Sequence, residues 1–222
     1  HLDDQVGRVL TALEKSGHAK NTIVVYTADH GLAVGSHGLL GKQNLYEHSM
    51  GTPLVISGPG IPRAKSSNAL VYLYDLFPTI CSWAGVAVPE KVEGQSLAEV
   101  ITGAKPLVRK TLFTAYEDKM RAVRDDRYKL IRYPQINHTQ LFDLESDPHE
   151  LKNLASVSGQ ADRVDRMMGM LETWQDRTDD KTPHTSKNPG TKTIDLSGRK
   201  RKPDRHQPEW IIRKYFSNST AR

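Results

Sequence analysis

The chain has 222 residues, 37% hydrophobic and 26% charged, which suits one good-sized domain or one with a small companion and excludes a fibrous or wholly disordered chain. Its formal charge of +5 resides at the C-terminus, because from Arg177 onward twelve Lys/Arg stand against five Asp/Glu, so the basic balance does not point to a nucleic-acid partner for the body. A single cysteine, Cys81, excludes an internal disulfide, and no run reaches the roughly 18 apolar residues of a membrane span.

Leu2, Val6, Val9, Leu10 and Leu13 recur at helical spacing and Gly17 supplies a stop, which predicts an amphipathic helix over 1–17. Ile23 to Thr27 is β-branched and apolar on both faces, as a central parallel strand covered by helices would be, and Pro53 to Ser57 is a second apolar run. Gly58, Pro59, Gly60 and Pro62 stop that run. Over 68–84 the pattern predicts another helix, with Asp75 as N-cap, Pro78 in the first turn, Gly85 as its end, and Leu76, Phe77, Ile80, Cys81 and Ala84 on its apolar face. Cys81 therefore reads as a buried, inert thiol.

From about residue 106 the texture changes. The runs 112–116, 121–124, 128–133 and 140–144 are short and partly alternating, with a turn at Asp125-Asp126, and predict a small antiparallel sheet. A helix is expected at 159–175, with Val164, Met167, Met168, Leu171 and Trp174 inward. Residues 178–208 are rich in Lys, Pro, Thr, Ser, Asp and Gly, carry the run Arg199 to Lys202, and are expected to be irregular. The fold class is thus α/β: a portion of a mainly parallel sheet flanked by helices, plus a small C-terminal antiparallel sheet with a helix. The expected division is 1–105, 106–177 and a basic tail at 178–222.

The chemistry concentrates between the first two strands, from Asp29 to Tyr46. Asp29 and His30 follow a buried strand, where side chains project into a crevice. The carboxylate suits a hard divalent cation and the imidazole a transition metal or a substrate hydrogen bond; a capping aspartate beside a surface histidine is the structural alternative. Lys42 stands among Gly38, Gly41 and polar neighbours, where backbone can approach an anion and an ammonium supplies charge and donors. A solvated loop lysine is its alternative. His37 could donate to an oxyanion or protonate a leaving oxygen, or simply pack the turn. Glu47 and His48 read as structural or rim residues.

The stretch Thr27 to Ile56, TADHGLAVGSHGLLGKQNLYEHSMGTPLVI, resembles the second signature region of the type I, formylglycine-dependent sulfatases of the alkaline phosphatase superfamily. Leu2-Asp3-Asp4-Gln5-Val6-Gly7 resembles the preceding helix. Tyr74 to Ile80 with Ala84-Gly85-Val86 resembles a later helix, and Gln140 to Leu144 with Asp147, Pro148, Glu150, Asn153 and Leu154 resembles the small C-terminal subdomain. The matches cover about residues 1–155 in order.

The resemblance implies that Asp29 and His30 are metal ligands, with calcium the usual ion and Asn the commoner residue where this chain has His30. It implies that Lys42 holds the sulfate group, with His37 a substrate-side and catalytic candidate. The family nucleophile motif, Cys or Ser followed by x-Pro-x-Arg, does not occur in the sequence, and neither do the earlier aspartate ligands. The chain is therefore expected to be a C-terminal portion that is inactive alone, with formylglycine in a part not contained here. The implied partner is a sulfated small molecule or glycan, without nucleic acid or a membrane span, and the implied location is periplasmic, secreted or lysosomal. A phosphonate monoesterase or phosphodiesterase of the same superfamily is the first alternative. An inactive sulfatase-like module binding glycans through Arg199 to Lys202 and Arg205 is the second. Asn137-His138-Thr139 and Asn218-Ser219-Thr220 have the form of glycosylation acceptors.

Overall fold

The computed structural model describes residues 1–193, 195, 197–198, 202–203 and 205–216. The chain divides into two compact units, 1–189 and 190–222.

The first unit opens with helix α1 (Leu2–Lys15), none of whose residues is buried, so Leu2 and Val9 of its apolar face are open to solvent. Strands β1 (Val24–Thr27) and β2 (Leu54–Ser57) pair from Val24↔Ser57 to Thr27↔Leu54. The pair is antiparallel, and no parallel pair occurs among the described residues, so β1 does not have here the parallel neighbour that its apolar run suggested, while the α/β class stands. An apolar strand looks the same in either direction, and direction is set by the connection. Here the connection is a polar loop with the one-turn helix α2 (Glu47–Met50), which brings the chain back beside β1.

Helix α3 (Leu76–Ala84) buries Pro78, Thr79 and Cys81, and Gly85 ends it in the left-handed region. Phe77 and Ile80, expected to face the core, are about half exposed. Asp75 does not cap α3 with its side chain. Its carboxylate instead accepts the N–H of Tyr72 at 2.7 Å and of Gln95 at 2.9 Å and is gripped by both Nη atoms of Arg109. A short helix α4 (Ala98–Thr102) follows.

Strands β3 (Leu112–Tyr116), β4 (Met120–Arg124), β5 (Tyr128–Tyr133) and β6 (His138–Asp143) form the expected antiparallel meander in sequence order. Its turn is fixed by Asp125, whose Oδ1 accepts the N–H groups of Arg127 and Tyr128 at 3.0 and 2.6 Å. Helix α5 (Ala161–Thr178) covers one face, where Met167 and Leu171 pack with Val123, Leu130 and Leu141. On the other face Leu45 and Tyr46 pack with Met120, Ala122, Ile131 and Phe142. The loop carrying the chemistry-bearing residues thus rests directly on the sheet.

Residues 180–186 contain no helix or strand, and side chains of the sheet and of α5 hold them as a strap on the α5 side of the sheet. Arg121 Nε pairs with the Asp180 carboxylate at 2.5 Å, Gln175 Nε2 donates to the Thr182 carbonyl at 2.9 Å, and Arg132 Nε donates to the His184 carbonyl at 2.6 Å. Asn137 and Ser186 exchange two hydrogen bonds of 2.9 and 2.8 Å. In the second unit the described residues include helix α6 (Glu209–Tyr215). Arg199, Lys200, Arg201 and the Asn218 acceptor lie outside the described residues. No helix among the described residues is long and apolar enough to cross a membrane.

Candidate active site

Asp29 and His30 follow β1, and the next residue sets their direction. The Gly31 N–H donates to the Ser49 carbonyl of α2 at 2.9 Å. A Cβ on residue 31 would lie 2.1 Å from the His48 carbonyl oxygen, so only glycine allows the chain after His30 to press against α2.

His30 Nδ1 lies 2.8 Å from the Gly31 carbonyl oxygen. With Nδ1–H donating to that carbonyl, a neutral ring presents its Nε2 lone pair. Nε2 stands 3.2 Å from Asp29 Oδ2, and the Lys42 ammonium is in hydrogen-bond contact with the same Nε2. A neutral imidazole lone pair and a carboxylate oxygen repel when they face each other, so this arrangement calls for a cation, and Lys42 brings one. The structure therefore assembles the adjacent Asp29 and His30 with Lys42, 12 residues beyond His30, into one polar cluster, with the Asp29 side chain 79% exposed.

His37 is placed differently. It adopts a left-handed backbone (φ 54°), stacks on Tyr46 at 4.0 Å with 8° between the ring planes, and sets Nε2 3.0 Å from the His149 carbonyl oxygen. Tyr46 in turn donates to Gln140 Oε1 on β6 at 3.0 Å. Among the described residues the polar contact of the His37 ring is thus with His149 rather than with Asp29, His30 or Lys42. His48 lies 5.4 Å away, ring to ring; burial lowers its pKa, and the charges of His37 and Lys129 act in the same direction.

Sequence reasoning left Glu47 at the rim and missed Lys129. Glu47 Oε1 is 2.9 Å from Lys129 Nζ and Oε2 is 2.6 Å from Arg124 Nη1, while the Glu47 N–H donates to Glu150 Oε2 at 2.6 Å. Lys129 Nζ also lies 2.8 Å from Glu150 Oε1, as a charge contact rather than a well-aligned hydrogen bond. Burial pushes the Glu47 carboxyl pKa up, yet Lys129 and Arg124 together outweigh it and hold the pKa below its usual value. The one local sign of this network was a lysine inside the buried pattern of β5.

A cleft of about 410 Å³ opens beside Asp29, lined by Thr27, Met50, Leu54 and Tyr72 and reaching Glu47, Arg124 and Lys129. Among the described residues no three His, Cys, Asp or Glu side chains converge as a metal site.

Comparison with known proteins gives this geometry a family. Residues 35–177, which include His37 and Lys42, match the family described as N-sulphoglucosamine sulphohydrolase, C-terminal. An N-acetylglucosamine-6-O-sulfatase from Bacteroides thetaiotaomicron is 33% identical over 195 residues, covering 82% of this chain and 35% of that protein. A solved structure in complex with its substrate D-glucosamine-2-N,6-O-disulfate matches with TM-score 0.73 and 31% identity, over 81% of this chain and 39% of the other. The phosphonate monoester hydrolase of Silicibacter pomeroyi matches with TM-score 0.72 and 28% identity, over 81% and 40%. The chain spans about a third of the length of the curated relative it matches. On the family match and these likenesses, the chain belongs to the sulfatase family within the alkaline phosphatase superfamily and carries that family's C-terminal region.

Proposed function

We propose that the chain contributes the C-terminal share of a sulfate-ester hydrolase site, in which Lys42 binds the sulfate group and Asp29 with His30 binds a divalent metal. The observation that carries the reading is the convergence of the Asp29 carboxylate and the His30 Nε2 lone pair beside the Lys42 ammonium. Two acceptors aimed at one place, with the imidazole tautomer fixed from behind by Gly31, suit part of a divalent site. They do not complete one for calcium, which takes six to eight oxygens, so calcium is assigned as an ion held jointly with further ligands.

When bound, the cation would polarise sulfate oxygens. The chain's own residues do the rest. Lys42 moves its ammonium from His30 to an oxygen of the sulfate, offering three donors and a positive charge. Asp29, largely exposed, keeps its carboxylate available on the cleft side. His37, with Nε2–H directed to His149, acts on substrate only through Nδ1. The substrate class is a sulfated small molecule or glycan, in line with the disulfated glucosamine bound by one solved neighbour.

The test is a sulfate titration of the 222-residue chain followed by amide chemical shifts. The expected result is a shift of the amides around Lys42 that disappears in Lys42→Ala with the melting temperature unchanged; an unaltered response in Lys42→Ala sinks the reading. A second reading, phosphonate or phosphate ester hydrolysis, is favoured by the phosphonate monoester hydrolase neighbour. A stronger Lys42-dependent response to methylphosphonate than to sulfate would select it. Because the sequence has no Cys/Ser-x-Pro-x-Arg motif, the chain alone is expected not to turn over an aryl sulfate, and clear turnover would overturn that expectation.

A further inference from the structure

We infer that Lys129 and Glu47 form an ionic lock that positions the Asp29–His30–Lys42 cluster from the opposite subdomain, making Lys129 a positioning residue for that site. The inference rests on the reading of this cluster as the anion and metal site.

Lys129 lies on β5 with its side chain 3% exposed, and Glu150 beneath it is 1% exposed. Lys129 projects on the sheet face that carries Ile131, which packs against Leu45 and Tyr46. There its ammonium bridges Glu47 and Glu150, while Arg124 of β4 takes the other Glu47 oxygen. Desolvating these charges is unfavourable by several kcal/mol per ion, so hydrophobic residues of similar volume would hold sheet and loop together at least as well. What the ionic arrangement adds is a defined place for Glu47.

Glu47 is the first residue of α2, and both halves of the cluster hang from α2. The Ser49 carbonyl receives the Gly31 N–H, which fixes the chain directly after Asp29 and His30. On the other side, the loop from Lys42 runs straight into Glu47, whose own N–H is held by Glu150. Gly31 sits so close to α2 that a Cβ there would meet the His48 carbonyl oxygen at 2.1 Å. Helix α2 therefore cannot move toward Gly31 without a clash, and moving away breaks the Gly31–Ser49 hydrogen bond. Either way His30 turns relative to Lys42. Among the described residues no hydrogen bond or ion pair joins Lys129 to Asp29, His30 or Lys42, so its effect passes through α2.

The experiment compares Lys129→Met, Glu47→Gln and the double variant in the full chain by amide hydrogen exchange, with the sulfate titration as a second readout. Exchange over residues 29–50 should quicken at least tenfold in Lys129→Met, with β3, β4, β6 and α5 unchanged, and Glu47→Gln should reproduce the pattern. The double variant should fall short of the sum of the two single changes, because both remove the shared Lys129–Glu47 contact, whereas the Lys129–Glu150 and Arg124–Glu47 contacts are each lost in one of them. Additive effects, protection over 29–50 equal to the parent chain, or a loss spread evenly through sheet and helix would each overturn the lock. A localised gain in exchange in a chain whose amides never respond to sulfate keeps the lock and removes the sulfate reading. A sulfate response that survives in Lys129→Met, despite the local loosening, overturns the positioning role.

Discussion

Asp75 has no solvent exposure and four donors around its carboxylate, two backbone N–H groups and the two Nη atoms of Arg109, whose own side chain is 7% exposed. Removing one side of a buried pair leaves the other charge without compensation. Asp75→Ala is therefore expected to cost about 3–5 kcal/mol, measured by urea denaturation. Local sequence marked Asp75 as a helix cap because capping needs only neighbours. Its partner Arg109 is 34 positions away, and no local pattern announces such a pair. The same contrast holds in the candidate site. That Asp29, His30 and Lys42 lie together follows from one continuous stretch of chain, whereas Lys129 lies 82 positions from Glu47. Gly31 gives a second residue-scale prediction. Gly31→Ala puts a methyl group into the His48 carbonyl, so the loop must shift at a cost of about 1–3 kcal/mol, visible as a lower melting temperature and a lost sulfate response.

At the scale of elements, strands β3 to β6 and helix α5 formed close to where alternation and helical spacing placed them, because their periodicity reflects burial on the sheet. The strap at 180–186 was illegible for the opposite reason. It buries little apolar surface and is held by Arg121, Arg132, Asn137 and Gln175 through polar bonds from distant positions. His184 makes the strap pH-sensitive. Its Nε2 contacts Gln175 Oε1, and its buried Nδ1 has no acceptor for a second proton. Burial holds the imidazole pKa below its usual value; Arg132 and Arg121 push it the same way, and Glu172 and Asp180 oppose them. The released strap therefore binds the proton more readily than the docked one. Its docking is at full strength above the usual histidine value of about 6.5 and weakens as pH falls from there through the lower, docked value. Hydrogen exchange over 180–188, corrected for the intrinsic pH effect, should reveal that loosening, and His184→Asn should flatten it.

The whole first unit leaves several apolar faces uncovered. Leu2 and Val9 on α1, Tyr26 and Val55 on the β1–β2 ribbon, and Leu73, Phe77 and Ile80 before and along α3 are all 42–69% exposed. Positions 73, 77 and 80 share a helical face, so the exposure on α3 is a stripe rather than scattered side chains. The chain in isolation is expected to bind an apolar dye and to self-associate with rising concentration, by light scattering. Phe77→Lys with Ile80→Glu should reduce both without lowering the stability of the β3–β6 sheet. An unchanged monomer at high concentration would count against this. Sequence reasoning placed Leu2, Val9, Phe77 and Ile80 on apolar faces, because spacing reports that a face is apolar and cannot report what lies against it.

Asn137 joins these scales through time. Its side-chain amide, which a glycosyltransferase would have to modify, is held between the N–H and carbonyl of Ser186, and the Thr139 hydroxyl of the same acceptor triplet is held by Arg132. Once the strap closes, the acceptor amide is engaged; once a sugar is attached to its nitrogen, the clamp loses room on that side. In a secretory host the two events would race, and the fraction of chains bearing a glycan at Asn137 would act as a stopwatch for the closing of the strap.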